Sequence, residues 1–199
     1  MPCICLLNTE KRRKTIFNCV LCGGYSFNAI CKKCQNKYLK PKIRTNSGVV
    51  SFYDYESIEH LVKYKYHRFG NRIFKILAQN SFKYLAGGIK EGFYVIPVDD
   101  KIKKGFSHTA VLAESMKTEF LTPVYSSLLS SNNVRYAGKS LEFRLKNPRN
   151  FEYRGKSGVD VILVDDISTT GLTLKEAREC LEKEGVNVAL CVVLANLRK

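Results

Sequence analysis

No uninterrupted apolar run in this chain approaches the length of a bilayer span, so the sequence offers no candidate for a membrane-spanning helix. The opening MPCICLLNTEKRRK lacks the order of a secretory signal, because its apolar stretch is short and precedes the basic residues. The expected compartment is the cytoplasm. Acids are scarce: 18 Asp or Glu face 33 Lys or Arg, a formal charge of +15. The scarcity is uneven, since residues 1–48 hold one acid, Glu10, beside ten Lys or Arg, whereas residues 49–199 hold 17 beside 23. A front so poor in acids predicts a polyanionic partner, either nucleic acid or an anionic membrane face. A recognition helix in a winged or helix-turn-helix arrangement is also missing, which counts against a transcriptional regulator. What remains is a 199-residue chain of ordinary hydrophobic content, 45%, enough for one medium domain and a small module.

Cysteine is plentiful. Cys19, Cys22, Cys31 and Cys34 form CVLC-x8-CKKC, two C-x2-C knuckles able to converge on one ion. In a reducing compartment this spacing reads as metal before disulfide, and four thiolates fill a tetrahedral Zn2+ sphere with no position left for water. The expected cofactor is therefore structural zinc. Residues 17–40 have too few apolar side chains to offset the entropy of ordering them, so metal binding must supply the folding energy. Lys32, Lys33, Lys37, Lys40 and Lys42 either neutralise the formal −2 of such a site or contact nucleic acid. Cys3 and Cys5 read as spare thiols, and Cys180 and Cys191 as core filler.

The organisation expected is an extension at 1–18, a four-cysteine zinc-binding module at 19–40, a polar linker near Pro41 to Gly48 (PKIRTNSG), and one domain at 49–199. Val49 to Tyr55 reads as a strand. Ile58 to Leu85 has mostly helical spacing, with Leu61, Val62, Phe69, Ile73, Ile76 and Leu77 on the buried face, Gly70 as a break, and Lys63, Lys65, Arg68 and Arg72 on the solvated side. From Phe93 onward strands alternate with helices: FYVIPV, a helix from Ser107 to about Phe120, a short strand around Pro123 to Leu128, an apolar strand at 159–164, a helix from Thr173 to Glu184, and VALCVVL. That alternation predicts an α/β fold with a parallel sheet covered by helices. Ligands of such sheets sit beyond the carboxyl ends of the strands, which places Asp165 to Thr173 and Asp99 to Lys104 at one edge.

The segment VILVDDISTTGLTL carries the chemistry. The small and hydroxylated residues Ser168, Thr169, Thr170, Gly171, Leu172 and Thr173 offer backbone N–H groups and a helix N-terminus to a phosphate. Asp165 and Asp166 suit ribose hydroxyls or a magnesium-bound sugar. A sugar phosphate satisfies both halves. The segment resembles the phosphoribosyl-pyrophosphate (PRPP) motif of type I phosphoribosyltransferases. That resemblance implies that Asp165 and Asp166 hold the ribose 2′- and 3′-hydroxyls, with Mg2+ accompanying PRPP.

A four-cysteine zinc module followed by such a domain resembles the ComF family of competence proteins, which serve DNA uptake in natural transformation. Lys104 to Ala113 (KGFSHTAVLA) is similar to the family's R-G-F-N-Q-x-x-x-L-A segment, and Arg144-Leu145-Lys146-Asn147 with Phe151 to its R-x-x-N stretch. Two departures stand out. The loop after the Phe93 strand reads Asp99-Asp100-Lys101, where carboxylates would face a pyrophosphate, and Ser107-His108 replaces the family's N-Q pair. The resemblance implies a cytoplasmic accessory protein that handles single-stranded DNA, peripheral at the inner membrane, with a DNA-translocating helicase and the inner-membrane uptake channel as neighbours. Basic and aromatic residues interleave between Tyr136 and Tyr153, and Lys139, Arg144, Lys146 and Arg149 are the expected nucleic-acid contacts. An active phosphoribosyltransferase of nucleotide metabolism is the alternative, and turnover stays open.

Overall fold

The computed structural model describes residues 17–132, 134, 138 and 140–197. The chain divides into a unit ending at Tyr38 and a second beginning at Leu39. The first is built on a tight reversal. Asn18 and Tyr25 form an antiparallel bridge, the Cys19 N–H donates to the Gly24 carbonyl, and the Gly23 N–H returns to the Cys19 carbonyl, both at 2.8 Å. Gly23 takes a left-handed φ of 71°, a conformation that glycine adopts without steric cost. The helix α1 (Lys32–Tyr38) follows. Its buried Gln35 donates to the Ile30 carbonyl at 2.7 Å. Cys19, Ile30 and Cys34 are the buried hydrophobic residues described in this unit, too small an interior to fold on apolar burial alone.

The second unit opens with a hairpin of β1 (Arg44–Asn46) and β2 (Val49–Tyr53). Ser47 and Gly48 have φ of 51° and 74°, the pair of positive values that a two-residue type I′ turn requires. The stretch read as a linker thus contains an edge strand, because Ser-Gly supplies a hairpin turn. Then come α2 (Tyr55–Val62), a 3-10 turn (Lys63–Tyr66), α3 (Gly70–Asn80), α4 (Phe82–Gly88), β3 (Phe93–Pro97) and α5 (His108–Glu114). The chain continues with β4 (Leu121–Pro123), β5 (Leu128–Ser130), α6 (Leu141–Lys146), β6 (Phe151–Tyr153), β7 (Asp160–Ser168), α7 (Leu172–Lys183) and β8 (Asn187–Asn196).

The main sheet runs β1-β2-β8-β7-β3-β4, all neighbours parallel except β1 with β2. It is the parallel α/β sheet expected of a type I phosphoribosyltransferase-like fold. β5 and β6 form a separate antiparallel ribbon. β7 is buried almost throughout, as a central strand covered on both faces must be. Ile96, Val98, Leu163, Leu174, Ala177, Leu181 and Val193 share one core cluster, while α5 packs on β3 and β7 and is backed by α3. β3 is followed along the sheet by β4 on one side, and β7 by β8 on the other. The strand order therefore reverses between β3 and β7, and the loops after these two strands flank the crevice where ligands of open α/β sheets bind.

Two expectations are corrected. Phe69 is 62% exposed rather than buried, because the long helical stretch breaks over residues 63–69 and α3 starts only at Gly70. A Cβ at Gly70 would sit 2.0 Å from the Tyr64 carbonyl oxygen, so glycine there lets the 3-10 turn lie directly on the helix. The helix expected to reach Phe120 ends at Glu114. The chain then turns so that β4 can begin at Leu121.

Candidate functional site

In the first unit the Sγ atoms of Cys19, Cys22, Cys31 and Cys34 lie within 4.8 Å of one another. Cys22 and Cys31 are 3.9 Å apart, against about 3.8 Å for the edge of a tetrahedron with Zn–S bonds near 2.3 Å. The Cys31 N–H points at Cys19 Sγ (3.3 Å) and the Cys34 N–H at Cys31 Sγ (3.5 Å), donors that favour thiolates. Burial raises the Cys19 thiol, but the N–H groups of Cys31 and Cys22 outweigh it and bring it down to about 7. Burial and the neighbouring thiols push Cys34 up. Geometry and donor set fit a metal ion.

In the second unit, Asp165 and Asp166 are residues of β7, 8% and 5% exposed. They do not stand clear of the core at a strand terminus, as the motif's order suggested, because β8 extends beside β7 as far as Ser168. The chain then leaves the sheet through Ser168, Thr169 and Thr170. Gly171, with φ of 75°, caps α7 in the left-handed conformation. Helical bonding begins at once, with the Lys175 N–H on the Gly171 carbonyl at 2.9 Å. Leu172 N–H lies 3.4 Å from Thr170 Oγ1. Ser168 Oγ is buried with no hydrogen-bond partner among the described residues, as would suit a group that receives its partner with a ligand.

Each acid has a different environment. Lys65, from the 3-10 turn, places Nζ 2.6 Å from Asp166 Oδ2. His108 Nε2, at the start of α5, lies 3.8 Å from the same oxygen. Burial raises the Asp166 carboxyl, but Lys65 and then His108 pull it well below the usual carboxylate range. Asp165 goes the other way: burial and the Asp166 charge raise it, with Arg149 and Lys65 opposing only in part. One carboxylate is held ionised and its neighbour is pushed toward the protonated form, as two adjacent buried acids must be. Burial lowers His108 despite Asp166, so Lys65 is the firm cation of the group. His108, Asp165 and Asp166 also present oxygen and nitrogen atoms within 4.8 Å of one another.

Lys65 was legible only as one basic residue on a solvated helix face. A helical projection misplaces it, because it belongs to a tighter turn whose side chain reaches Asp166. His108 had a faint signal, a histidine where the family pattern has a neutral amide.

The expected pyrophosphate loop is tied down from within. Asp99 Oδ1 accepts from the Ser130 N–H (3.2 Å) and hydroxyl (2.9 Å). Asp100 Oδ2 accepts from the Ser126 N–H at 2.8 Å, and Lys101 Nζ donates to the Ser130 carbonyl. Lys101, Lys103 and Arg149 surround Asp99 at 3.8–4.0 Å. The carboxylates that seemed set against a pyrophosphate anchor the loop to β5 and the turn before it.

Two of the expected nucleic-acid contacts meet the loop and helix start that follow β7. Arg144 Nη1 donates to Thr169 Oγ1 and Arg149 Nε to Thr173 Oγ1, each at 3.1 Å. The Arg149 N–H holds Glu176 Oε2 at 2.8 Å. Arg144, Arg149, Leu172, Thr173 and Glu176 line a small crevice at the start of α7. Lys146 instead pairs with Glu142 at 2.7 Å in solvent, and Lys139 lies outside the described residues. Phe151 and Tyr153 are partly buried and pack against the core cluster. A larger hollow of about 460 Å3, lined by Pro41, Ile43, Phe52, Asn80, Ser81 and Tyr84, shares no residue with this site.

The chain has a phosphoribosyltransferase-like fold, and residues 145–199 match the phosphoribosyl transferase domain family. The resemblance to ComF proteins also holds across most of the chain. The competence protein ComFC of Bacillus subtilis (strain 168) is 26% identical over 178 residues, covering 84% of this chain and 72% of that protein. Among solved structures, an adenine phosphoribosyltransferase covers 82% of this chain and 89% of its own at 17% identity, with a TM-score of 0.41. Leishmania donovani UMP synthase covers 77% of this chain at 19% identity and a TM-score of 0.40, and this chain spans 27% of it. No helix among the described residues is long and apolar enough to cross a membrane.

Proposed function

We propose that this chain is an accessory protein of DNA uptake that binds single-stranded DNA, and that its phosphate loop doubles as a pocket of the PRPP type. The observation that carries the reading is the contact of Arg144 and Arg149 with Thr169 and Thr173. It brings two guanidinium groups to the hydroxyls and helix N-terminus that suit a phosphate. Guanidinium forks bind phosphate oxygens in paired, charge-assisted hydrogen bonds, so a phosphate arriving at Ser168 to Thr173 would exchange hydroxyl partners for stronger ones. Asp165 and Asp166 are on the strand that feeds the loop, and their carboxylates would take the hydroxyls of a ribose attached to that phosphate. Lys65 keeps Asp166 ionised and able to accept from a ribose hydroxyl. Mg2+ bound with PRPP would add positive charge for the pyrophosphate. Zn2+ held by Cys19, Cys22, Cys31 and Cys34 would supply folding energy to the first unit.

On this reading the strand and the sugar phosphate compete for the same arginines. A labelled oligonucleotide bound to the full chain should be displaced by PRPP with Mg2+, followed by fluorescence anisotropy, and less well by ribose 5-phosphate. Oligonucleotide binding that saturating PRPP leaves untouched would separate the two sites and overturn the shared-pocket reading.

A further inference from the structure

Sequence-tolerant strand binding needs stacking faces as well as cations. Phe151 and Tyr153, which interleave with Arg144 and Arg149 in sequence, are packed against the core, while Tyr66, Phe69, Tyr84 and Tyr125 of the second unit are exposed. The first unit has exposed rings that also cluster. Phe17, Tyr25 and Phe27 are 47%, 72% and 69% exposed, yet they touch one another. Ring centroids are 6.2 Å apart for Phe17 and Tyr25, with planes inclined by 27°. Phe27 meets them edge-on at 5.9 and 5.3 Å. The backbone holds this trio: the Asn18–Tyr25 bridge, the Ser26 N–H on the Phe17 carbonyl at 2.7 Å, and a Ser26 hydroxyl that donates to the Asn28 carbonyl and accepts from its N–H. The rings lie outside the buried interior of Cys19, Ile30 and Cys34, so burial does not explain them.

The described charged residues of this unit have one sign. From Phe17 to Tyr38 there is no acid, while Lys32, Lys33 and Lys37 are basic. Even against the formal −2 of a four-thiolate zinc site, these three leave a surplus of one positive charge. Phosphates are attracted to such a stretch without sequence preference, and bases have π-faces for the rings. The exposed large apolar residues described in this unit are Phe17, Val20, Tyr25, Phe27 and Tyr38. An inserting membrane loop gains from any apolar side chain, whereas stacking needs rings, and all but one of these are rings.

We propose that Phe17, Tyr25 and Phe27 form a base-stacking platform for single-stranded DNA, with the lysines of the same unit on its phosphates. The proposal rests on the DNA-binding reading above and gives the cysteine module a direct part in it. The chain contains no tryptophan, so Tyr25→Trp places a single tryptophan, excited selectively above the tyrosine absorption, in the platform. In the zinc-loaded full chain, its emission should be quenched by an oligo-dT strand and little changed by an abasic strand of equal length. Tyr25→Ala with Phe27→Ala should weaken oligo-dT binding by roughly tenfold or more, with zinc content and salt slope unchanged. Oligo-dT binding without quenching, or with undiminished affinity in the double variant, would overturn the platform and leave the DNA reading standing. No binding to the unmodified chain would overturn both. A blue shift of the emission with phosphatidylserine vesicles and no response to oligo-dT would assign the rings to a membrane face and overturn the platform. Should the alanine variant lose zinc, the tryptophan reporter still decides.

Discussion

The residue on which most turns is Lys65. Its ammonium is the firm cation against the buried Asp166 carboxylate, and removing one partner of a buried pair is costly because the other charge remains. Lys65→Met should therefore destabilise the chain by about 3 kcal/mol at pH 7. The pH dependence follows from the two folded states. In the unmodified chain Asp166 is held below its unfolded value, so its contribution is present above about pH 4 and lost as pH falls further. In the variant the unpaired carboxyl rises above its unfolded value, so the folded state suffers more as pH rises through that new value. The deficit in urea unfolding should accordingly shrink between pH 7 and pH 4, and a deficit constant with pH would show that Lys65 acts through packing alone. Asp166→Asn carries the mirror cost, a buried ammonium left without its charge, so it is not a silent probe of ligand binding. Asp165→Asn is the better probe, because Asp165 is already pushed toward its neutral form. It should keep the urea midpoint while weakening PRPP, measured by the thermal shift that ligand binding to the native state produces.

At the scale of elements, two short segments decide the sites. Gly70 lets the 3-10 turn carrying Lys65 rest on α3. A methyl group there meets backbone at 2.0 Å, so Gly70→Ala should lower stability by about 1–3 kcal/mol. By displacing Lys65 it should also weaken PRPP binding, whereas Gly87→Ala, in open space, should do neither. The knuckles are the second segment. Cys31→Ser should release metal and expose residues 17–40 to protease, and elemental analysis that found the metal retained would contradict the ligand set. The alternation of strand and helix after Phe93, the parallel sheet, and the paired cysteines were legible, because each follows from a local rule of period or spacing. Less was legible where backbone geometry intervened. Ser47-Gly48 makes a hairpin inside an apparent linker, and the break over residues 63–69 turns Phe69 outward and Lys65 inward. The burial of Asp165 and Asp166 depends on how far β8 runs beside β7, which no local pattern encodes. The internal bonding of Asp99 and Asp100 depends on β5 and the turn before it, some 30 residues further on.

The molecule as a whole has a basic, cysteine-bearing unit and a sheet in which the loop and helix start after β7 are contacted by two arginines. In the proposed function Arg144 and Arg149 meet the phosphate of a single strand. The direct test is the salt dependence of oligonucleotide binding, by fluorescence anisotropy, in the unmodified chain and in Arg144→Ala with Arg149→Ala. Each phosphate contact on a single strand contributes about 0.7 to the slope of log K against log salt. The account predicts a steep slope in the unmodified chain, a slope about 1.4 units shallower in the variant, and weakened binding to every sequence alike. An unchanged slope in a folded variant, or a slope near zero in the unmodified chain, would contradict it.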